Sequence, residues 1–292
     1  MNINHLAIFH AAAEEGSMSR AAERLFISQP AVSKQIGELE AALGVSLFDR
    51  LPRGLRLSAA GEMLAGYARR LFAVEAEAEQ ALAEMKGLAQ GKLTVGASLT
   101  IGGYLLPKML GAYRNQYPGI ALRLEIANTQ VIQQKLRDNA LDLGLTEGFA
   151  EDPLLEAEVF AEDVLTAVVP PGHPFLEGAV SAAQFCTEPF LMRELGSGTR
   201  EVVERALLRQ EIVVQPAMSL GSTEAIKQAV ASGLGVAIVS RLALETEIKM
   251  GLLCSLPLPG LALTRPLHLV RLRGKSQSAA AQAFLTVVRS YF

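Results

Sequence analysis

Gln29, Ser33 and Lys34 share one side of a short helical pattern. Gln can bond adenine in a bidentate way, and Ser and Lys can reach base edges or phosphates. Ser28 can cap that helix, and Pro30 falls in its first turn, where a missing N–H costs nothing. Further on, Arg50, Arg53 and Arg56 crowd a short hairpin-like stretch with Leu47, Phe48 and Leu57. Arginines at such a tip, Arg53 above all, can lie along a phosphate backbone or enter a minor groove.

A second group of side chains suits small anions. Ser98-Leu99-Thr100, Gly196-Ser197-Gly198-Thr199-Arg200 and Gly221-Ser222-Thr223 each join a strand-like run to a helix-like run. Such loops offer free backbone N–H groups, hydroxyls and a favourable dipole, and Arg200 adds a charge-assisted contact. Asn128-Thr129 and Thr146-Glu147 end two further strands and can line the same cleft. The plainer alternative is that each hydroxyl caps its own helix.

Catalytic and metal patterns are missing from the sequence. His5, His10, His173 and His268 form no metal-spaced pair, and no nucleophile elbow, Walker loop or dinucleotide fingerprint occurs. Cofactors and metals are therefore expected to be none. Asp138 and Asp142 read as turn or cap residues. Cys186 and Cys254 lack a CxxC partner and basic neighbours, so buried apolar roles outweigh a redox pair.

The elements that must position these groups follow from periodicity. Ser19 can cap a helix bearing Ala21, Ala22 and Leu25, which Phe26 and Ile27 end against the core. Ala31, Val32, Ile36, Leu39 and Leu43 then form the buried stripe of the second helix, and Gly44 stops it. A helix pair followed by an arginine-tipped hairpin is a winged helix-turn-helix, which seats one helix in the major groove. A helical hairpin inside a larger core is the bland alternative.

An ordered set of residues now carries a resemblance. It comprises Ala21-Ala22, Leu25, Ser28-Gln29-Pro30-Ala31-Val32-Ser33, Ile36, Leu39-Glu40, Leu43-Gly44, Leu47-Phe48, Arg50, Arg53-Gly54, Leu57 and Ala60-Gly61. This pattern resembles the LysR-type transcriptional regulators, and the whole length and element order are similar too. The resemblance implies a DNA-binding domain, a linker helix, a two-lobed effector domain, and dimers or tetramers on promoter DNA. It also allows RNA polymerase as a partner. Ala97 to Pro107 resembles the branch governing sulfur assimilation or carbon fixation, which implies a sulfur oxyanion or a phosphorylated or carboxylated effector.

Residues 59 to 89 read as one long helix. Ala60, Met63, Leu64, Tyr67, Leu71, Val74, Ala78, Ala81, Leu82 and Met85 run along one side, a stripe too long for a small domain to cover. The stripe suits a partner helix; docking on its own chain is the alternative. Gly87, Gln90 and Gly91 read as a hinge. From Lys92 strands and helices alternate, which predicts a mostly parallel sheet covered by helices. One helix is expected from about 101 to 116. Crossovers near 161 to 165 and 264 to 268 would join two lobes.

The fold class expected is thus α/β, with a mainly α winged helix-turn-helix in front, a long linker helix, and a two-lobed effector domain of the periplasmic-binding-protein type. The boundaries are 1–58, 59–91 and 92–292, with lobe 1 at 92–161 and 268–292 and lobe 2 at 162–267. The expected function is a sequence-specific regulator controlled by a small anionic metabolite held between the lobes. DNA contacts are assigned to Ser28, Gln29, Pro30, Ser33, Lys34 and Arg53. Effector contacts are assigned to Ser98, Thr100, Asn128, Thr146, Thr199, Arg200 and Thr223. An enzyme or a solute-binding protein with an anion cleft is the alternative.

Composition constrains this reading. Half of the 292 residues are hydrophobic, yet no apolar run is long enough to span a membrane. The start shows no signal-peptide pattern, so a cytoplasmic, non-membrane protein is expected. The net charge is −3, and within residues 17–56 six Lys/Arg face four Asp/Glu, leaving only +2. DNA-binding charge must therefore be concentrated on one surface.

Overall fold

The computed structural model describes residues 1–50, 55–84, 91–148 and 152–292, with backbone alone at residues 50, 77, 80, 81, 83 and 84. The chain forms two compact units, the first ending at Leu82 and the second starting at Ala83, apart from the short stretch Asp138–Ala140.

The first unit holds α1 (Ile3–Glu15), α2 (Met18–Leu25), α3 (Gln29–Leu43), an antiparallel pair β1 (Phe48–Arg50) and β2 (Leu55–Leu57), and α4 (Ala59–Glu84). Ser17, not Ser19, caps α2: its hydroxyl accepts from the Arg20 N–H at 3.4 Å. Phe26 does not end α2 against the core. It takes a left-handed conformation with φ 54° and is 95 % exposed. With Ile27 also exposed, this turn is held by the Phe26 and Ile27 N–H groups bonding Glu23 and Ala22 carbonyls. Val32, Ile36 and Leu39 are buried as expected, but Ala31 is half-buried and Leu43 lies exposed where α3 outruns its partners. Gly44 does stop α3, with φ 71°.

Phe9, Ala21, Ala22, Val32, Leu39, Leu47 and Phe48 share a core with Ala65 and Ala68 of α4. The linker helix is thus two-sided. Its inner face belongs to this core, where Phe72 stacks on His10 at 5.4 Å. Its outer face leaves Met63, Tyr67, Leu71, Val74, Ala78 and Leu82 exposed. Met85, Gly87 and Gln90 lie outside the described residues.

The second unit begins with β3 (Gly91–Ser98), followed by α5 (Leu99–Tyr104), α6 (Leu106–Gln116), β4 (Ile120–Ala127), α7 (Thr129–Arg137) and β5 (Leu143–Glu147). The single helix expected near 101–116 is broken at Leu105, just before α6 opens with Pro107 in its first turn; proline has no N–H to continue the bonding back to Gly103. A long strand β6 (Leu155–Val169) leads to α8 (Ala182–Phe185), β7 (Phe190–Arg193), α9 (Gly198–Leu208), β8 (Met218–Leu220), α10 (Thr223–Ala231) and β9 (Val236–Ser240). Then come α11 (Glu245–Lys249), β10 (Cys254–Leu256), β11 (Thr264–Leu272) and α12 (Ala279–Ser290).

Strand order is β4-β3-β5-β11-β6-β9-β7-β8, with β10 added to β6. Strands β4, β3 and β5 are parallel, as are β8, β7 and β9, so each end of the path matches the expectation. The middle does not. Strands β6 and β11 pair antiparallel along Leu155–Val164 and Thr264–Leu272, with a register shift at Leu267/His268. Strand β6 then pairs with β9 from Leu165 onward. Two apolar cores sit on either side of this ribbon. One gathers Leu93, Ile101, Leu143, Leu267 and Phe284. The other gathers Leu165, Phe185, Phe190, Leu207 and Ile238. Helix α12 returns to the first, as expected.

Candidate DNA-binding surface and inter-lobe site

Ser28 accepts from the Ala31 N–H at 3.4 Å and starts α3. Gln29, Pro30, Ser33 and Lys34 are all exposed on the face opposite Val32, Ile36 and Leu39. Lys34 Nζ stands 3.8 Å from Glu38, a solvated pair that holds the side chain weakly. The hairpin is fixed to α3 by Glu40, whose Oε1 accepts from the Leu47 and Phe48 N–H groups at 2.6 and 3.3 Å. Sequence reasoning missed this anchor. Arg53 lies outside the described residues.

In the second unit, Ser98, Asn128 and Glu147 stand at the carboxyl ends of three adjacent parallel strands. Arg193 and Ser240 end strands in the other half. Crevices at such strand ends are where open α/β sheets hold ligands. The two halves meet there directly. The Gln130 N–H donates across to the Gly196 carbonyl at 3.1 Å, while within the first half Thr129 Oγ1 donates to the Glu147 carbonyl at 3.2 Å. Gly198 sits so close that a Cβ on it would fall 2.1 Å from the Glu147 oxygen.

The candidate hydroxyls meet different fates. Ser98 accepts from Ile101 N–H at 3.4 Å and Ser222 from Ala225 N–H at 3.1 Å, so both cap their own helices. Ser197 precedes α9 but makes no such cap. Its Oγ is buried without a hydrogen-bond partner among the described residues, and so are Thr100 Oγ1 and Glu147 Oε2. Helix α5, which carries Thr100, packs against both β3 and β5.

Thr199 belongs to a buried ionic cluster. Arg265 Nη1 donates to Thr199 Oγ1 at 2.8 Å, and Thr199 Oγ1 donates to Glu147 Oε1 at 3.4 Å. Arg265 Nε reaches Asp163 Oδ2 at 2.8 Å, while its Nη1 stays 3.6 Å from Glu147 Oε1. Ser240 donates to the other Asp163 oxygen at 3.0 Å. Arg265 is fully buried, at 0 % exposure. Neither Arg265 nor Asp163 was singled out from sequence, since 102 residues separate them.

Three other candidates are held elsewhere. Arg200 bonds Glu204 at 2.7 Å, the Arg193 carbonyl at 3.2 Å and Ser219 at 3.4 Å, and it shares none of the Thr199 contacts. Thr223 accepts from Arg193 Nη1 at 3.3 Å. Asn128 accepts from Val131 N–H at 3.0 Å and reaches across to the Leu195 carbonyl at 3.5 Å. Burial pushes the neighbouring Glu194 carboxyl up, but the Arg193 fork and Asn128 outweigh it and hold the group below its ordinary range. Thr146 is buried opposite His268, whose basicity burial reduces.

Two family models together match most of this chain. Residues 3–62 match the bacterial regulatory helix-turn-helix protein, lysR family. Residues 86–292 match the LysR substrate binding domain. The chain belongs to the LysR family of transcriptional regulators. It is 37 % identical over 291 residues to the RuBisCO operon transcriptional regulator of Allochromatium vinosum, covering 99 % of this chain and 96 % of that protein. The regulatory domain of Synechocystis PCC6803 CcmR, solved in complex with 2-PG, is 30 % identical with TM-score 0.65, covering 69 % of this chain and 97 % of that one. Full-length CbnR, solved with its target DNA, covers 100 % of both chains with TM-score 0.72 and shares the fold at 23 % identity. The LysR chain is thus a DNA-binding transcriptional regulator with an effector-binding domain, and the enzyme reading falls away.

The close approach at Gly198 gives a test. In Gly198→Ala the new methyl must push α9 off the end of β5, so stability should fall by about 1–3 kcal/mol, as overpacking does. Gly178→Ala, which meets nothing within 4 Å, serves as the control. Thermal unfolding of the full-length variants reads the difference, and equal midpoints would contradict the tight contact.

Proposed function

We propose that this regulator reads promoter DNA through Gln29, Ser33 and Lys34, with Ser28 and Pro30 fixing the helix start and Arg53 in the wing. It does so as a symmetric homodimer or homotetramer. A small anionic metabolite binds between the lobes at Thr100 and Ser197, with Ser98, Asn128, Thr146, Thr199 and Thr223 around them. The observation that carries this reading is the set of buried, unpartnered oxygens of Thr100, Ser197 and Glu147, distributed over both lobes. Native interiors rarely leave such atoms unsatisfied without a ligand, water or function to account for them. CcmR's 2-PG and CbnR's target DNA support the two ligand classes. Arg200 takes a rim position: it lines a groove of about 320 Å³ with Thr129, Gln130 and Leu195. Promoter binding places the work in the cytoplasm, and activation would add RNA polymerase as a contact. A ligand that touches both lobes favours one lobe arrangement and so biases the DNA-binding pairs.

Base reading is separable from phosphate binding. Gln29→Ala should weaken cognate operator binding by about 1–3 kcal/mol and random duplex far less. Fluorescence anisotropy on both duplexes checks this, and equal losses would remove Gln29 from base readout.

The exposed side of α4 generates a second test. Leu71→Glu places a charge in the apolar stripe of Met63, Tyr67, Leu71 and Val74, where a partner copy would have to desolvate it. Light scattering should show the full-length variant at lower mass than wild type at micromolar concentration. An unchanged mass would rule out this face as the contact between copies.

The effector site has its own test. Thr100→Val keeps the shape and removes the unpartnered hydroxyl. Calorimetric titration with phosphate, sulfate, sulfite and simple carboxylates should show weaker binding than wild type, with ligand-free operator binding nearly unchanged. Equal affinities would place the anion elsewhere.

A further inference from the structure

Within the buried cluster around Arg265 the charges do not cancel. Glu147, Asp163 and Arg265 are each no more than 2 % exposed, so two carboxylates share one guanidinium. The sharing is uneven. Arg265 Nε donates to Asp163 Oδ2 at 2.8 Å and Nη2 stands 2.7 Å from the same oxygen without completing a hydrogen bond, while Nη1 approaches Glu147 only to 3.6 Å. Ser240 adds a donor to Asp163 at 3.0 Å, whereas Glu147 Oε1 receives only the longer 3.4 Å bond from Thr199. Glu147 Oε2 receives none among the described residues. An ionised carboxylate is an acceptor at both oxygens and has nothing to donate. Left under-bonded in a dry site it is costly, and it repels any anion that brings only further acceptors.

We infer that Glu147 selects the effector: the metabolite bound between the lobes is an anion that also carries a hydrogen-bond donor, a hydroxyl or an acid proton, and gives it to Glu147 Oε2. This rests on the inter-lobe anion site proposed above and sets its chemical class. The hydroxyls of Thr100 and Ser197 donate to the anionic oxygens, while Glu147 requires the ligand itself to donate. Anions with no proton to offer bind more weakly. At neutral pH phosphate keeps a proton and sulfate does not; glycolate has a hydroxyl and acetate does not.

The test uses the full-length protein and these four probes, titrated by calorimetry at pH 7. Wild type should bind phosphate over sulfate, and glycolate over acetate, by at least about tenfold, since a site built to accept from a donor rejects the analogue that lacks it. Glu147→Gln keeps the size and supplies an N–H₂ that can donate to either anion, so both ratios should shrink to about threefold or less. Wild type alone decides the first point, so a misfolded variant does not protect the inference. Wild type that binds sulfate as well as phosphate overturns it and leaves the anion site standing. Donor preference that survives intact in a folded Glu147→Gln protein also overturns it, because another group must then do the selecting. No binding of any probe at tens of millimolar overturns the anion site and this inference with it. In that case Thr100→Val will also have shown no effect, which separates the two failures.

Discussion

The effector domain is organised around one buried guanidinium. Arg265 is the largest fully buried side chain among the described residues, and burying an arginine cation without partners would cost several kcal/mol. Its partners are drawn from four other elements. Asp163 comes from β6 and is the cross-strand neighbour of Arg265 in β11, so the ion pair and the ribbon register enforce each other. Thr199 comes from the first turn of α9, Glu147 from the end of β5, and Ser240, through Asp163, from the end of β9. A one-residue slip of β11 against β6 would turn Arg265 out of the core and break its contacts with Asp163, Thr199 and Glu147. Loss of one partner from a buried pair costs about 3–5 kcal/mol, enough to penalise any lobe arrangement that separates them.

The glycines at the lobe contact follow from the same constraint. Thr199 can reach Arg265 only if the start of α9 comes down onto the end of β5, and that approach leaves no room for a Cβ at residue 198. The Gly-Ser-Gly-Thr run is therefore not a generic phosphate loop. Its second glycine allows lobe contact, its threonine serves the ionic cluster, and its serine is left over. Because Ser197 does not cap α9, its hydroxyl is the one in that run still open to a ligand.

Local features were readable from sequence because they depend on neighbours in the chain. The helix-turn-helix, the Ser28 cap, the Gly44 stop and the alternation of strands and helices all follow from patterns within a few turns. The errors mark where tertiary structure decides. Ser17 and Ser19 are equally good caps by type, and packing of α2 on α1 and α3 selects the former. Phe26 reads as core by hydrophobicity, yet the left-handed turn it terminates directs it to solvent. Arg200 drew attention by standing next to a glycine loop, but one turn of helix places Glu204 beside it. Arg265 had no local signal at all. Its partners lie 66 and 102 residues away, and only the antiparallel register of β6 and β11 together with the packing of α9 brings them together.

The weak positive charge of the DNA-binding segment connects these two halves of the sequence. At +2 over residues 17–56, one copy can neutralise few phosphates, and affinity rises with the number neutralised. Within one copy, α4 already uses Ala65, Ala68 and Phe72 to complete the helix-turn-helix core, while its outer row from Met63 to Leu82 stays exposed among the described residues of the first unit. Burying that row against a second copy would double the phosphate contacts in the same step. It would also fix the spacing of two recognition helices, which DNA reads as half-site separation. Assembly and DNA affinity would then be coupled in one equilibrium, because a chain this acidic overall gains phosphate contacts by pairing.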